Sequence, residues 1–494
     1  MDVCAAAAAA AAQGPLVPLL LPHQRMAELQ SDRSLGSGPP RGARRRHRRR
    51  RRRRNDKVDR ISGLPDDMIR EVLVRLRCTS SAARTSVLSS RWRGLWRHLP
   101  ELSFREIPPD AIHAALAQVT RTELSLLDIN VPECHKISSP GVASLLHAAA
   151  RLAPVELSLI AWANGNGRGI AIEGPWPCFH RTTSIKLDMR NPDLYLTPSA
   201  PGAVFPVLER LSIAGCHFDT GALVRRCPCL RVLEVRNSGS LGTIMVHSPT
   251  IKELDVGGEG LEGINIVAPA LKRFTMSSYK ERGFNVSFSA PAVDNLSWHW
   301  CYSQNAGIGE MWRLRELNFW MEESICVLRL TIGTLSDWLV ADRNLMQDVA
   351  QLPEFSVLEL SLATYDHIYG AIVLNILEGC TSVKRLKVDI LCSLANECSP
   401  NCPCDEPQDW RTQSISLMAL EEVEIKDFNR AGHEVDFLKL LFRCAPLMKM
   451  VTVRLSPKVS PSSRGCKKMY NFFKAYPSVK CYVYDFFGKQ VLYA

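Results

Sequence analysis

Six copies of one short pattern, apolar-x-x-apolar-x-apolar, recur along the middle of the chain as LERLSI, LRVLEV, IKELDV, LKRFTM, VDNLSW and LRELNF. They begin at Leu208, Leu230, Ile251, Leu271, Val293 and Leu314, so successive steps are 22, 21, 20, 22 and 21 residues. A unit that short offers one strand and a return segment and cannot bury its own apolar face, whereas stacking on the next unit buries it. Alternation within each copy predicts a half-buried strand. In LERLSI, Leu211 and Ile213 face a core, Leu208 packs just ahead of the strand, and Arg210 and Ser212 face solvent. The expectation is an α/β chain wound as a curved solenoid with a parallel sheet lining one side.

Weaker copies extend the series in both directions: TELSLL at Thr122, VELSLI at Val155 and TSIKLD at Thr183, then VLELSL at Val357, VKRLKV at Val383 and LEEVEI at Leu420. The spacing is that of an irregular leucine-rich repeat. The stretch from Met321 to Leu352, with Trp338 and the run Leu345 to Val349, breaks the period and reads as helical. Gly258, Gly260 and Gly263 have the GxGxxG form, but the β-prone INIV follows where a dinucleotide site requires a helix, so they read as turn glycines.

Upstream, residues 59–104 read DRISGLPDDMIREVLVRLRCTSSAARTSVLSSRWRGLWRHLPELSF. Pro65 suits the first turn of a helix, and Asp66 and Asp67 place negative charge at the positive end of its dipole. Ile69, Val72, Leu73 and Leu76 follow at helical spacing. A second helix is predicted from Ser81 to Leu88, with Thr79 and Ser80 as candidate N-caps, and a third carries Trp92, Leu95, Trp96 and Leu99. So small a segment cannot enclose all of this apolar surface, which makes it a docking module.

These residues resemble an F-box of the plant form, DRIS-x-LPDD near the start and RTSVLS-x-RWR-x-LW near the end. The resemblance implies docking of a Skp-type adaptor, and through it a cullin, with Leu64, Pro65, Ile69, Leu73, Ala83, Val87, Leu88, Trp92 and Trp96 as contacts. From about Leu352 onward, ISLMALEEVEI, HEVDFLKLLFRCAP, MVTVRL and GCKKMYNFFKAYPSVKCYVY resemble the FBD-like region of plant F-box/leucine-rich-repeat proteins. Val435, Leu438, Leu441 and Phe442 form a helix face there, and Met448 to Val453 a strand, as in two further strand–helix units that close the solenoid. The expected organisation is a disordered Ala- and Arg-rich tail (1–57), an F-box of three helices (58–104), a repeat solenoid (105–351) and an FBD-like cap (352–494).

The net charge of +11 suggests nucleic acid until it is located. Residues 1–54 carry +10 of it, so the remainder is nearly neutral. Arg44, Arg45, Arg46, Arg48, Arg49, Arg50, Arg51, Arg52, Arg53 and Arg54 repel one another and predict a disordered run that acts as a nuclear-localisation or polyanion patch, or as a passive tail. Leu16 to Leu21 is apolar, but it lacks a basic flank and Pro18 interrupts it, so secretion is not expected, and no run suits a membrane helix.

The seventeen cysteines then read as reduced thiols rather than a disulfide framework. Cys392, Cys398, Cys402 and Cys404 offer soft ligands, yet no second paired arm or nearby His completes a zinc set, and the tract reads as a structural loop. His433-Glu434 lacks the second His of HExxH, and no Walker loop or GxSxG elbow occurs, so no catalysis and no cofactor are expected. The resemblance implies the substrate-recognition subunit of an SCF-type ubiquitin ligase, located in nucleus or cytoplasm, with an unknown protein target on the repeats. Two alternatives stay open: a scaffold outside any ligase, and a nucleic-acid binder acting through the basic tail.

Overall fold

Parallel neighbours need a crossover of about a dozen residues or more, and intervals such as 259–272 and 281–294 meet that need. Strands β1 (Glu101–Arg105), β2 (Leu126–Val131), β3 (Glu156–Ala161), β5 (Ser184–Asp188), β7 (Arg210–Ala214), β9 (Val232–Asn237), β11 (Glu253–Gly258), β13 (Arg273–Lys280) and β15 (Asn295–Tyr302) pair in succession, all parallel. Their return segments carry β4 (Ile170–Ala171), β6 (Leu194–Leu196) and β8 (His217–Phe218) in one small parallel sheet. A second is formed by β10 (Gly242–His247), β12 (Leu261–Val267) and β14 (Asn285–Ser289).

This is a computed structural model, and it describes residues 63–163, 170–171, 176–190, 194–196, 205–237, 242–280, 284–302, 307–308, 311–322, 325–334, 349, 352–365, 367–391, 402–429 and 432–493. The tail and its arginines, Cys392, Cys398 and Trp338 lie outside the described residues.

The register lines the apolar pattern into columns. Leu211, Leu233, Leu254, Phe274 and Leu296 stand side by side, as do Ile213, Val235, Val256, Met276 and Trp298, and all are buried. One backbone bond recurs at each step: Arg231 N–H donates to the Glu209 carbonyl, Lys252 to Arg231 and Lys272 to Lys252, each at 2.8 Å. Gly258 and Gly260 have positive φ and turn β11 into β12, so the GxGxxG segment joins strand to strand. At Gly263 a Cβ would stand 2.8 Å from the Asn285 carbonyl oxygen, which is why the third glycine is there.

Two expectations fail in the middle of the chain. LRELNF belongs to β17 (Trp312–Glu322), which runs antiparallel to β15, to the short β16 (Gly307–Ile308) and to β18 (Ile325–Thr334). Only residues 323–324 separate β17 from β18, too few for a crossover, so the chain makes a hairpin. The segment expected to be helical therefore begins with a strand, whose buried Val327, Leu328, Leu330 and Ile332 suit a sheet.

Parallel order then resumes through β19 (Val357–Ala363), β20 (Arg385–Leu391), β21 (Glu422–Phe428), β22 (Met450–Leu455) and β23 (Lys480–Tyr484), with β24 (Gln490–Tyr493) antiparallel at the edge.

Helices α1 (Asp66–Arg75), α2 (Thr79–Arg84), α3 (Pro109–Gln118), α4 (Ser139–Arg151), α5 (Thr220–Val224), α6 (Gly370–Glu378), α7 (Gly432–Cys444) and α8 (Arg464–Lys474) complete the mixed α/β fold. On α7, Leu438, Leu441 and Phe442 are buried and Val435 partly so, the face the sequence pattern indicates.

The N-terminal module departs from three helices. Its third segment is a series of 3-10 turns, Ser90–Trp92 and Leu95–His98 among them, separated at Gly94, whose φ is +78°. Thr79 does not cap α2, which has no side-chain cap. Its hydroxyl instead accepts from Ser103 N–H at 2.8 Å, satisfying a donor on β1, an edge strand of the large sheet. Module and sheet therefore share one core through Leu99, Leu102 and Phe104.

Candidate functional site

Helix α1 presents two adjacent faces. Ile69 and Leu73 point inward and are fully buried, whereas Met68, Val72 and Leu76 are about half exposed along the outer side, in line with exposed Pro65. The turn after α2 adds Val87 and Leu88, at 87% and 62% exposure. Arg91 fastens the start of α1, donating to Asp66 at 2.7 Å and to the Leu64 carbonyl. Trp92 and Trp96 are buried, and Leu64 and Ala83 pack partly buried against the core. Of the nine contact residues the resemblance implies, Pro65, Val87 and Leu88 are thus offered to solvent, and Ile69, Leu73, Trp92 and Trp96 hold the module together. Met68 is an exposed apolar side chain the sequence reading did not single out; its place beside Val72 on the helix was the available signal.

Between the two helices, Cys78 lies 3.1 Å from the Ser80 hydroxyl. Burial works to raise its pKa, but hydrogen bonds with Ser80 and Ser81 outweigh this and bring the thiol down to about 7. Burial instead pushes Cys227 and Cys380 up to about 12. At pH 7.5 iodoacetamide should therefore label Cys78 well ahead of Cys227 and Cys380, as read by peptide mass spectrometry, and a Ser80→Ala/Ser81→Ala variant should label more slowly at Cys78.

The outward face of the C-terminal strands is a lattice of paired charges. Glu359 accepts from Arg329 at 2.5 Å and from Lys387 at 2.8 Å, and Arg454 meets Glu424 at 2.9 Å. Arg329, Glu359, Lys387 and Glu424, with Ser361 and Asp389, border a cleft of about 340 Å³. Burial acts to raise the pKa of Glu359, yet the bonds from Lys387 and Arg329 prevail and hold its carboxyl below the usual range. A depressed folded-state pKa stabilises the fold above the unfolded value, and that contribution is lost as pH falls through the folded one. Removing both cations, in Arg329→Ala/Lys387→Ala, should lower the urea midpoint at pH 7 and leave little difference from the parent near pH 2.

The paired helices, the Arg91 clamp and the exposed apolar ridge define a docking module of the F-box class, and residues 61–104 match the F-box domain family. An F-box/FBD/LRR-repeat protein of Arabidopsis thaliana is 24% identical over 470 residues, covering 81% of this chain and 90% of its own length. Another from that plant is 26% identical over 256 residues, 48% of this chain, and the chain spans only 56% of it. F-box/LRR-repeat protein 25 of Arabidopsis thaliana is 27% identical over 229 residues, 43% of this chain and 83% of its own length. Residues 61–104 are thus an F-box domain, and the chain as a whole is similar to plant F-box/LRR-repeat proteins, FBD-containing ones among them. No solved structure matches it.

Proposed function

We propose that this chain is the substrate-recognition subunit of an SCF-type ubiquitin ligase. The observation that carries the reading is the exposed ridge of Pro65, Met68, Val72, Leu76, Val87 and Leu88 on the module that matches the F-box family. F-box domains typically bind Skp-type adaptors, and this ridge is the apolar surface such an adaptor covers, with a cullin joined through it. Buried Ile69, Leu73, Trp92 and Trp96 act one layer below, fixing the ridge in place.

The repeats wind as a curved leucine-rich-repeat solenoid whose charged outer strand face takes the target protein. Shared packing of the F-box on β1 holds target and ligase at a set distance, and proximity of this kind contributes about 7–11 kcal/mol when reacting groups are well placed. The chain itself performs no bond chemistry. The arginine-rich run addresses it to the nucleus, with the cytoplasm as the other compartment.

The test is affinity purification of the full-length protein from plant extract, with adaptor and cullin quantified by mass spectrometry. Recovery of both supports the reading; a folded sample that recovers neither leaves a repeat scaffold outside any ligase.

A further inference from the structure

The fold supplies what the Cys402-Pro403-Cys404 tract lacks in sequence, a histidine. His367 stands in the loop before α6, and its Nδ1 lies 3.4 Å from the Cys402 Sγ. One ligand atom from each of His367, Cys402 and Cys404 can be chosen so that all lie within 4.8 Å of one another. Met311, beside the start of β17, brings its Sδ to 3.7 Å from the same Cys402 sulfur. Three segments far apart in the chain thus converge with two thiols, an imidazole and a thioether.

We propose that His367, Cys402 and Cys404 form a binding site for a thiophilic d10 cation, zinc(II) by the fit of its separations. Zn–S bonds of about 2.3 Å and Zn–N bonds of about 2.0–2.1 Å at tetrahedral angles place neighbouring ligand atoms roughly 3.5–3.8 Å apart. The Cys402–His367 separation of 3.4 Å is close to that value. Cys404 needs a side-chain adjustment on the order of 1 Å to join them. Ile368 N–H already points at the Cys404 sulfur, at 3.4 Å, the kind of outer-shell donor that orients a thiolate ligand. On binding, the two thiols release two protons to solvent, the imidazole stays neutral, and the ion gains one nitrogen and two sulfur ligands.

The donors are held by rigid surroundings. Trp410 is fully buried against Gly370 and donates its indole N–H to Asp405 at 2.9 Å, and Arg411 meets the same carboxylate at 2.8 Å. Asp405 is thereby committed, which leaves a Cys₂His set. Met311, whose sulfur already touches Cys402, also lines a cleft of about 410 Å³ together with Pro403 and Glu406, and a water molecule would complete the set of four. Such an ion would tie the loop before α6 to the loop before β21.

The experiment is cobalt(II) titration of the reduced, full-length protein, followed through the near-ultraviolet thiolate-to-cobalt band and its bleaching by zinc. A saturable band, lost in Cys402→Ser and in His367→Gln but kept in Cys229→Ser, is the expected result. Circular dichroism shows whether each variant is folded, and His367→Gln carries the test if Cys402→Ser is not. A chelator should lower the thermal midpoint of the parent and leave that of His367→Gln unchanged. The proposal is overturned if the folded parent gives no band, which would leave a thiol–imidazole hydrogen bond, or if the band survives His367→Gln. Binding of copper(I) alone, weakened by Met311→Leu, would overturn the zinc assignment.

Discussion

Val87→Asp combined with Leu88→Asp should abolish retention of the Skp-type adaptor proposed above and leave the thermal midpoint where it was. Both side chains are exposed, so the substitutions touch no packed contact, and surface changes of this kind usually move stability by no more than about 0.5 kcal/mol. In a complex the same positions would bury a carboxylate against an apolar surface. Losing an anchor of that kind costs about 2 kcal/mol or more, a weakening of roughly 30-fold or greater. Leu73→Ala should behave in the opposite way. Its side chain is fully buried, so truncation destabilises the chain by about 2–5 kcal/mol, and adaptor binding falls only as far as the module loosens. Calorimetry on the variants, paired with titration against purified adaptor, separates the two effects. Equal loss of binding in both without loss of stability in Leu73→Ala would refute the division into an outer ridge and an inner support.

What was legible in the sequence follows from which physical pattern each residue obeys. The columns led by Leu211 and Ile213 were readable because a two-residue alternation recurring every twenty-odd residues has few other ways to bury itself. LRELNF obeys the same pattern and starts at the same spacing, yet its strand runs on to Glu322, and the two residues left before β18 force a hairpin. Start-to-start spacing does not report strand length.

On α1 the stripe of Ile69, Val72, Leu73 and Leu76 was correctly grouped, but it spans two edges, and periodicity alone does not tell which edge turns inward. Trp92 and Trp96 have helical spacing that two short turns satisfy equally well, with Gly94 and its positive φ between them. His367 was unreadable as a partner of Cys402, because the two lie far apart in the chain and meet only in the fold.

Trp410→Ala is the substitution with the largest expected effect on the C-terminal part of the fold, about 3–5 kcal/mol, since it empties a fully enclosed indole site and removes one of the two donors to the Asp405 oxygen, leaving Arg411 as the other. The same site explains Gly370 at the start of α6. A Cβ there would stand 2.3–2.6 Å from three ring carbons of Trp410, nearer than atoms can approach. Gly370→Ala should therefore cost about 1–3 kcal/mol by overpacking, despite the general advantage of alanine over glycine in a helix. In the Trp410→Ala background the obstacle is gone, and the added methyl enters the cavity. The double variant should be no less stable than Trp410→Ala alone, a coupling of about 1–3 kcal/mol in urea unfolding. A cost of Gly370→Ala that persists undiminished in the Trp410→Ala background would mean that it does not arise from contact with the indole. A strong coupling means that Trp410 is fixed against α6, and the loop bearing Cys402 and Cys404 is held to the loop bearing His367 by packing before any ion arrives.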